Sequence, residues 1–314
     1  MREKLMELLS HTAMLKTGDP AHPENATRLA AILSRLKSSE YNIDLTVERL
    51  ATRDELRLVH STAYIDQMLS FDKEYMSLEH EMLIAPSDVE SARLAAGIGL
   101  ELVERVLDGR ARSGFALVRP PGHHARPDAG MGFCIFNNIA IAAKRALALG
   151  IQRILILDFD VHHGNGTQEA FYDDNRVLFI DIHQDDLFPK HSGSIDEKGK
   201  DAGLGFTVNI PLPDSCFDDD YLRVLEKQIK PLALNFKPEL ILVSAGFDAH
   251  EDDPLASMRL SSKGYGQIAK QIKAIANASC DGKCIFFLEG GYNPENLAND
   301  VFECIHEFNT TTTS

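Results

Sequence analysis

Short apolar runs rich in Ile, Val, Leu and Phe alternate along this chain with longer segments whose apolar residues recur at helical spacing. The runs Phe115–Val118, Arg153–Asp158, Val177–Ile182, Phe206–Ile210, Leu240–Ser244 and Cys284–Leu288 are nearly continuous, which marks strands covered on both faces. Between them, Val89–Leu107 stops at Gly109 and Asn138–Leu149 stops at Gly150, as helices do. Asp219–Leu234, Ser262–Ala278 and Pro294–Phe308 show the same periodicity. Strand and helix in alternation predict an α/β fold: a doubly wound, mainly parallel sheet with helices on both faces. No repeat, low-complexity linker or charge block divides the chain, so residues 1–314 are expected to form a single domain with a frayed tail at Thr310–Ser314.

Composition adds limits rather than a function. With 314 residues, 44% of them hydrophobic, the chain can bury a large core. A net charge of −15 without a Lys/Arg cluster weighs against direct nucleic-acid binding and favours cationic partners. The five cysteines are sparse, and Cys280 and Cys284 have no second pair to complete a metal knuckle, so all read as ordinary thiols of a reducing compartment. The apolar run at the N-terminus is broken by acidic residues, and no stretch is long enough to span a bilayer. A soluble, cytoplasmic protein without a membrane partner is expected.

In doubly wound sheets, ligands bind beyond the carboxyl ends of the strands. Four such exits carry ionisable residues: Pro120-Pro-Gly-His-His124, Asp158-Phe-Asp-Val-His-His-Gly-Asn-Gly166, Asp248 after Ala245-Gly-Phe247, and Tyr292 after Glu289-Gly-Gly291. In extended chain Asp160 and His162 point the same way, with Asp158 one step deeper. Adding Asp248 gives one imidazole and two carboxylates, a set that suits zinc or ferrous iron with a position left for water. A lone Asp-x-His is common, and most histidines are simply hydrogen-bonded. The joint occurrence of so many ionisable groups at strand ends outweighs that reading, because burying them uncompensated is costly.

Amide hydrolysis at one metal needs a polarised carbonyl, a deprotonated water and a proton for the leaving amine. His123 and His124 can carry the protons, with Asp158 and Asn165 as orienting partners. The histidine facing Asp158 is expected to stay cationic, and the one facing neutral Asn165 to titrate near neutrality as general base. Tyr292, on a Gly-Gly turn, can donate its hydroxyl to a developing oxyanion; its bland reading is a tyrosine ahead of a helix that starts at Pro294.

These motifs resemble the histone deacetylase family of the arginase/deacetylase superfamily. The resemblance rests on Arg119-Pro-Pro-Gly-His-His-Ala125, Gly130-Met-Gly-Phe-Cys134, Asn137-Asn138, Asp158 to Thr167, Ser244-Ala-Gly-Phe-Asp248 and Glu289-Gly-Gly-Tyr-Asn293, with His22-Pro-Glu24 and Arg28 near the start. It implies Asp160, His162 and Asp248 as zinc ligands, His123 and His124 as the histidine pair, and Tyr292 as the oxyanion tyrosine. It further implies Phe133 and Phe188 as walls of an acyl-lysine tunnel beside Gly132, with Gly291 on the substrate side, and a structural potassium ion near Asp158. Asn165 stands where class I members have Asp, which looks like the class II branch. Dinuclear arginase-like sites need carboxylates where this chain has Gly164 and His250, so one catalytic metal is implied.

The implied substrate is an acetylated protein or peptide, or a small acylated amine. Polyamine-selective relatives carry a Glu after an Asp-Pro step, whereas Asp253-Pro254 here is followed by Leu255, which favours acyl-lysine. An acetylpolyamine amidohydrolase is the alternative within enzymes. A non-catalytic scaffold that binds acylated tails is the alternative outside them, and the retained ligands and tyrosine speak against it.

Overall fold

A computed structural model describes residues 5–39, 41–72, 75–78 and 82–310. The strands are β1 (Glu7–Leu9), β2 (Ile43–Asp44), β3 (Met76–Leu78), β4 (Met82–Ile84), β5 (Ser113–Ala116), β6 (Ile154–Asp158), β7 (Val177–Gln184), β8 (Thr207–Leu212), β9 (Leu240–Ala245) and β10 (Cys284–Leu288). The first six helices are α1 (Ala26–Ser38), α2 (Arg53–Leu56), α3 (Thr62–Leu69), α4 (Pro86–Leu107), α5 (Asn138–Ala148) and α6 (Asn165–Phe171). Four more follow: α7 (Asp218–Val224), α8 (Lys230–Phe236), α9 (Ser262–Cys280) and α10 (Pro294–Asn309).

Eight strands form one sheet in the order β2-β1-β5-β10-β9-β6-β7-β8, and every pairing in it is parallel. From β6 the chain winds outward through β7 to β8, whereas β9 returns to the other side of β6 and leads to β10. The winding direction therefore switches between β6 and β9, and an open α/β sheet leaves a crevice beyond the carboxyl ends at that point. Buried Ile154–Leu157, Leu240–Val243 and Cys284–Leu288 fill the sheet interior, which accounts for their unbroken apolar runs. The fold is thus the expected single-domain, parallel, doubly wound one. No helix of the described residues is long and apolar enough to cross a membrane.

Several elements depart from the pattern-based reading. β1 and β2 add an edge to the sheet from two- and three-residue strands, and Leu8 and Leu9 of the N-terminal apolar run are buried there. α1, capped by the Asn25 side chain, buries Leu29, Ile32 and Leu36. The helix expected over Asp219–Leu234 is instead α7 and α8 joined by a widened turn at Leu225–Ile229. Pro231 explains that turn: it has no N–H to donate and its ring crowds the carbonyl four residues back, so the ladder loosens ahead of it. Of the expected tail, Thr310 donates its N–H to the carbonyl of His306 at the end of α10, and residues 311–314 lie outside the described residues.

Candidate active site

β6 ends at Asp158, so Asp160 and His162 lie in bends beyond the strand and not in extended chain as expected. Their side chains still converge, because Asp160 Oδ1 accepts the His162 N–H at 2.9 Å and fixes the bend. His162 Nδ1 then lies 3.1 Å from Asp160 Oδ1 and 3.0 Å from Asp248 Oδ2. The remaining oxygens are held by backbone amides: Gly290 N–H donates to Asp160 Oδ2 at 2.8 Å, and Val161 N–H to Asp248 Oδ1 at 2.9 Å. Gly290 is required at its position, since a Cβ there would overlap the carboxylates of Asp248 and Asp160.

These three residues can hold one cation. One donor atom from each lies within 4.8 Å of the others, all three side chains are buried, and among the described residues they form the one such group. Two buried carboxylates so close need a positive partner. Without a metal, His162 supplies it: burial opposes its charge, yet hydrogen bonds to Asp160 and Asp248 raise its pKa to about 10. One imidazole plus two carboxylates is a donor set for zinc or ferrous iron. His250 turns away from this centre, its Nδ1 facing the Asp252 amide and the Asn296 side chain at 3.1 and 3.2 Å.

The tandem histidines are partnered differently. His123 Nδ1 faces Asp158 Oδ2 at 3.0 Å, and its Nε2 is 3.8 Å from Asp160 Oδ1. Burial works against the cation, but the charges of Asp160 and Asp158 raise its pKa well above the usual value. His124 Nδ1 faces Asn165 Oδ1 at 2.8 Å, and the Asn165 amide nitrogen lies 3.3 Å from the Met131 sulfur, which orients the amide. Burial, then the charges of His123 and His162, push His124 well below the usual imidazole value. The two partners separate the histidines as expected, but His124 lies below the near-neutral titration anticipated from its neutral partner. The physical reason is its complete burial beside two other imidazoles.

Glu289, noted in the sequence only as part of a motif, anchors the histidine loop: its Oε2 accepts the N–H of Gly122 at 2.6 Å and of His123 at 3.1 Å. Burial raises its pKa to about 7. No spacing signal could single it out, because its partners arrive from another strand.

Two aromatic walls flank the centre. The Phe188 ring meets His124 at 5.1 Å and His162 at 6.5 Å between centroids. The Phe133 ring meets Tyr292 at 5.8 Å and His22 at 4.6 Å. Gly132 has φ +53° and sits so close to His124 and Phe188 that a side chain would collide with both. Tyr292 is half-buried, with the Arg28 guanidinium 4.9 Å above its ring. Arg28 also donates to the carbonyl of Gly291 at 2.5 Å and of Glu289 at 2.6 Å, so it braces the turn that presents the tyrosine. Leu255 lies in the loop after β9, its N–H bound to Asp253 Oδ1 at 2.9 Å.

Comparison with known proteins identifies the family to which this chain belongs. The family's histone deacetylase domain matches residues 22–308. The chain is 40% identical to Histone deacetylase 14, chloroplastic, from Arabidopsis thaliana, covering 94% of this chain and 74% of that one. It is 41% identical to a probable deacetylase of Archaeoglobus fulgidus, covering 88% and 78%. It is 37% identical to the histone deacetylase-like amidohydrolase of Pseudomonas aeruginosa, covering 88% and 73%. The crystal structure of the HDA15 HD domain superposes with a TM-score of 0.92 at 33% identity, over 99% of this chain and 90% of that one. The chain belongs to the histone deacetylase family and is a hydrolase of the deacetylase/amidohydrolase kind.

Proposed function

We propose that this protein is a zinc-dependent amidohydrolase that removes acetyl groups from lysine side chains of proteins or peptides. The observation that carries the reading is the unequal partnering of His123 and His124 beside the Asp160, His162 and Asp248 donors. A divalent cation on those donors supplies Lewis-acid polarisation of the acyl carbonyl and of the attacking water.

The chain's own groups do the rest. Asn165 Oδ1 accepts from His124 Nδ1, so the proton sits on Nδ1 and the lone pair of Nε2 is left for the water. His124 takes a proton from the water as its oxygen bonds to the acyl carbon, then returns that proton to the amine nitrogen as the C–N bond breaks. His123, held cationic by Asp158, gives electrostatic support to the negative charge that gathers on the carbonyl oxygen. Tyr292 donates its hydroxyl to the same oxygen, and Phe133, Phe188 and Gly132 leave a narrow apolar passage for the lysine stem. Structural potassium near Asp158 and a class II affinity stay within this reading. The five free, buried cysteines support a reducing, cytoplasmic setting.

Zinc-loaded protein with an acetyl-lysine peptide is expected to release acetate. Tyr292→Phe should lower kcat by about 100- to 1,000-fold, the cost of one oxyanion donor, and His124→Ala by at least as much. Wild-type rates in either variant would sink the assignment of roles. A kcat/KM that strongly favours acetylputrescine over the peptide would move the substrate to acetylpolyamines, against Leu255.

A further inference from the structure

Asp253 is a buried carboxylate, 8% exposed, that the hydrolytic steps above do not use. Its two oxygens serve two different segments. Oδ1 accepts the N–H of Leu255 at 2.9 Å and closes its own loop, while Oδ2 accepts the N–H of Tyr292 at 2.7 Å, 39 positions along the chain. Tyr292 follows Gly290 and Gly291, and Gly291 has φ +114°, a conformation that a residue with a side chain rarely adopts. On the carbonyl side, Arg28 grips Glu289 and Gly291. Tyr292 is therefore held through its backbone between a cation that binds carbonyls and a carboxylate that binds its amide. The two amides bind different oxygens, so replacing either oxygen by an amide NH₂ leaves one of them facing a donor instead of an acceptor.

We infer that Asp253 is a positioning residue: it fixes Tyr292 for catalysis and couples that tyrosine to the loop that carries Leu255. This rests on the proposed role of Tyr292 as oxyanion donor. A plain loop brace would stabilise the protein without acting through the tyrosine, and a double-variant cycle separates the two.

The experiment compares zinc-loaded wild type, Asp253→Asn, Tyr292→Phe and the double variant on an acetyl-lysine peptide. Asp253→Asn is expected to lower kcat by about 10- to 100-fold, the usual cost of losing a group that orients a functional one, with KM little changed. In the Tyr292→Phe background the same substitution should cost nothing more, and zinc content should match wild type. Losses that multiply, an unchanged kcat in Asp253→Asn, or a fall in bound zinc would each overturn the inference. Should the Asn variant not fold, the cycle is run with Asp253→Glu, which keeps both acceptors but displaces them by a methylene; multiplying losses there overturn it equally. Amide hydrogen exchange on the metal-free protein gives an activity-free readout: Tyr292 and Leu255 N–H should both exchange faster in Asp253→Asn, and unchanged protection at Tyr292 overturns the coupling. A zinc-loaded wild type that hydrolyses no acyl-lysine substrate would refute the proposed function alone, and the exchange measurement would still decide Asp253.

Discussion

Two clusters of buried charge lie within reach of Tyr292, and they solve the same problem differently. In the first, Glu24 meets Arg119 through both oxygens at 2.8 and 2.7 Å, and Arg28 at 3.1 Å. The remaining donors of Arg119 end on the Met14 carbonyl and on the carbonyl and hydroxyl of Thr17. That cluster is complete within the chain. In the second, the side-chain partners of Asp158, Asp160 and Asp248 are the imidazoles of His123 and His162, while backbone amides bind the remaining oxygens and Glu289. It is acid-rich, and three of its donors lie close enough to share a cation. The lesson is that a buried carboxylate matched by arginines is architecture, while a buried carboxylate set left short of positive charge is a binding site.

The comparison breaks most sharply at Asp248. Asp248→Asn removes one anionic donor, and zinc binding followed by calorimetry should collapse, with deacetylation falling to background. Wild-type protein should gain about 4 kcal/mol of unfolding free energy at free zinc 1,000 times Kd, and the variant should gain almost none. Wild-type zinc affinity in Asp248→Asn would show that the second cluster is not the metal site. In the first cluster the effect is on stability. Glu24→Gln strands two buried guanidiniums and should cost about 3 to 5 kcal/mol in chemical denaturation, with zinc content retained. A loss below about 1 kcal/mol would mean that backbone acceptors, not Glu24, carry those arginines.

Strand content was legible where burial on both faces forces continuous apolar runs. Cys284–Leu288 coincides with β10, and Leu240–Ser244 falls one residue short of β9. The edge strands β1 and β2 were not, because two or three residues cannot display a period. α1 escapes a strand-centred reading even though Leu29, Ile32 and Leu36 have helical spacing. In the site, residues joined by short spacing or by motif are brought together: Asp160 with His162, His123 with Asp158, His124 with Asn165. Glu289 and Asp253 act on amides 166 and 39 positions away. Those contacts exist only once the parallel strands are in register, so no local pattern announces them. Leu255, chosen for what stands beside it in sequence, reaches the site through the Asp253 carboxylate.

The smallest expected effect separates the clusters by pH. Burial opposes the charge of Glu24, but Arg119 and Arg28 hold its pKa below the ordinary 4.5. Its stabilisation is therefore complete above pH 4.5, where the unfolded carboxyl is also ionised, and is lost as pH falls through the lower folded value. Asp300, buried and close enough to Asp253 to feel its charge, does the opposite. Burial raises its pKa from 3.8 to about 8, so the folded state keeps a proton that the unfolded chain has released. That contribution is present at low pH and is lost as pH climbs from about 3.8 to about 8. Unfolding free energies of the metal-free protein, measured from pH 3 upward, should thus fall on both limbs, each by at most about 1.4 kcal/mol per pH unit for one proton. Glu24→Gln should flatten the limb below pH 4.5 and Asp300→Asn the fall between about pH 3.8 and about 8. If Glu24→Gln leaves the acid limb as steep as in wild type, the arginines are not what keeps that carboxylate ionised, and the contrast between a closed cluster and an open one fails at its first member.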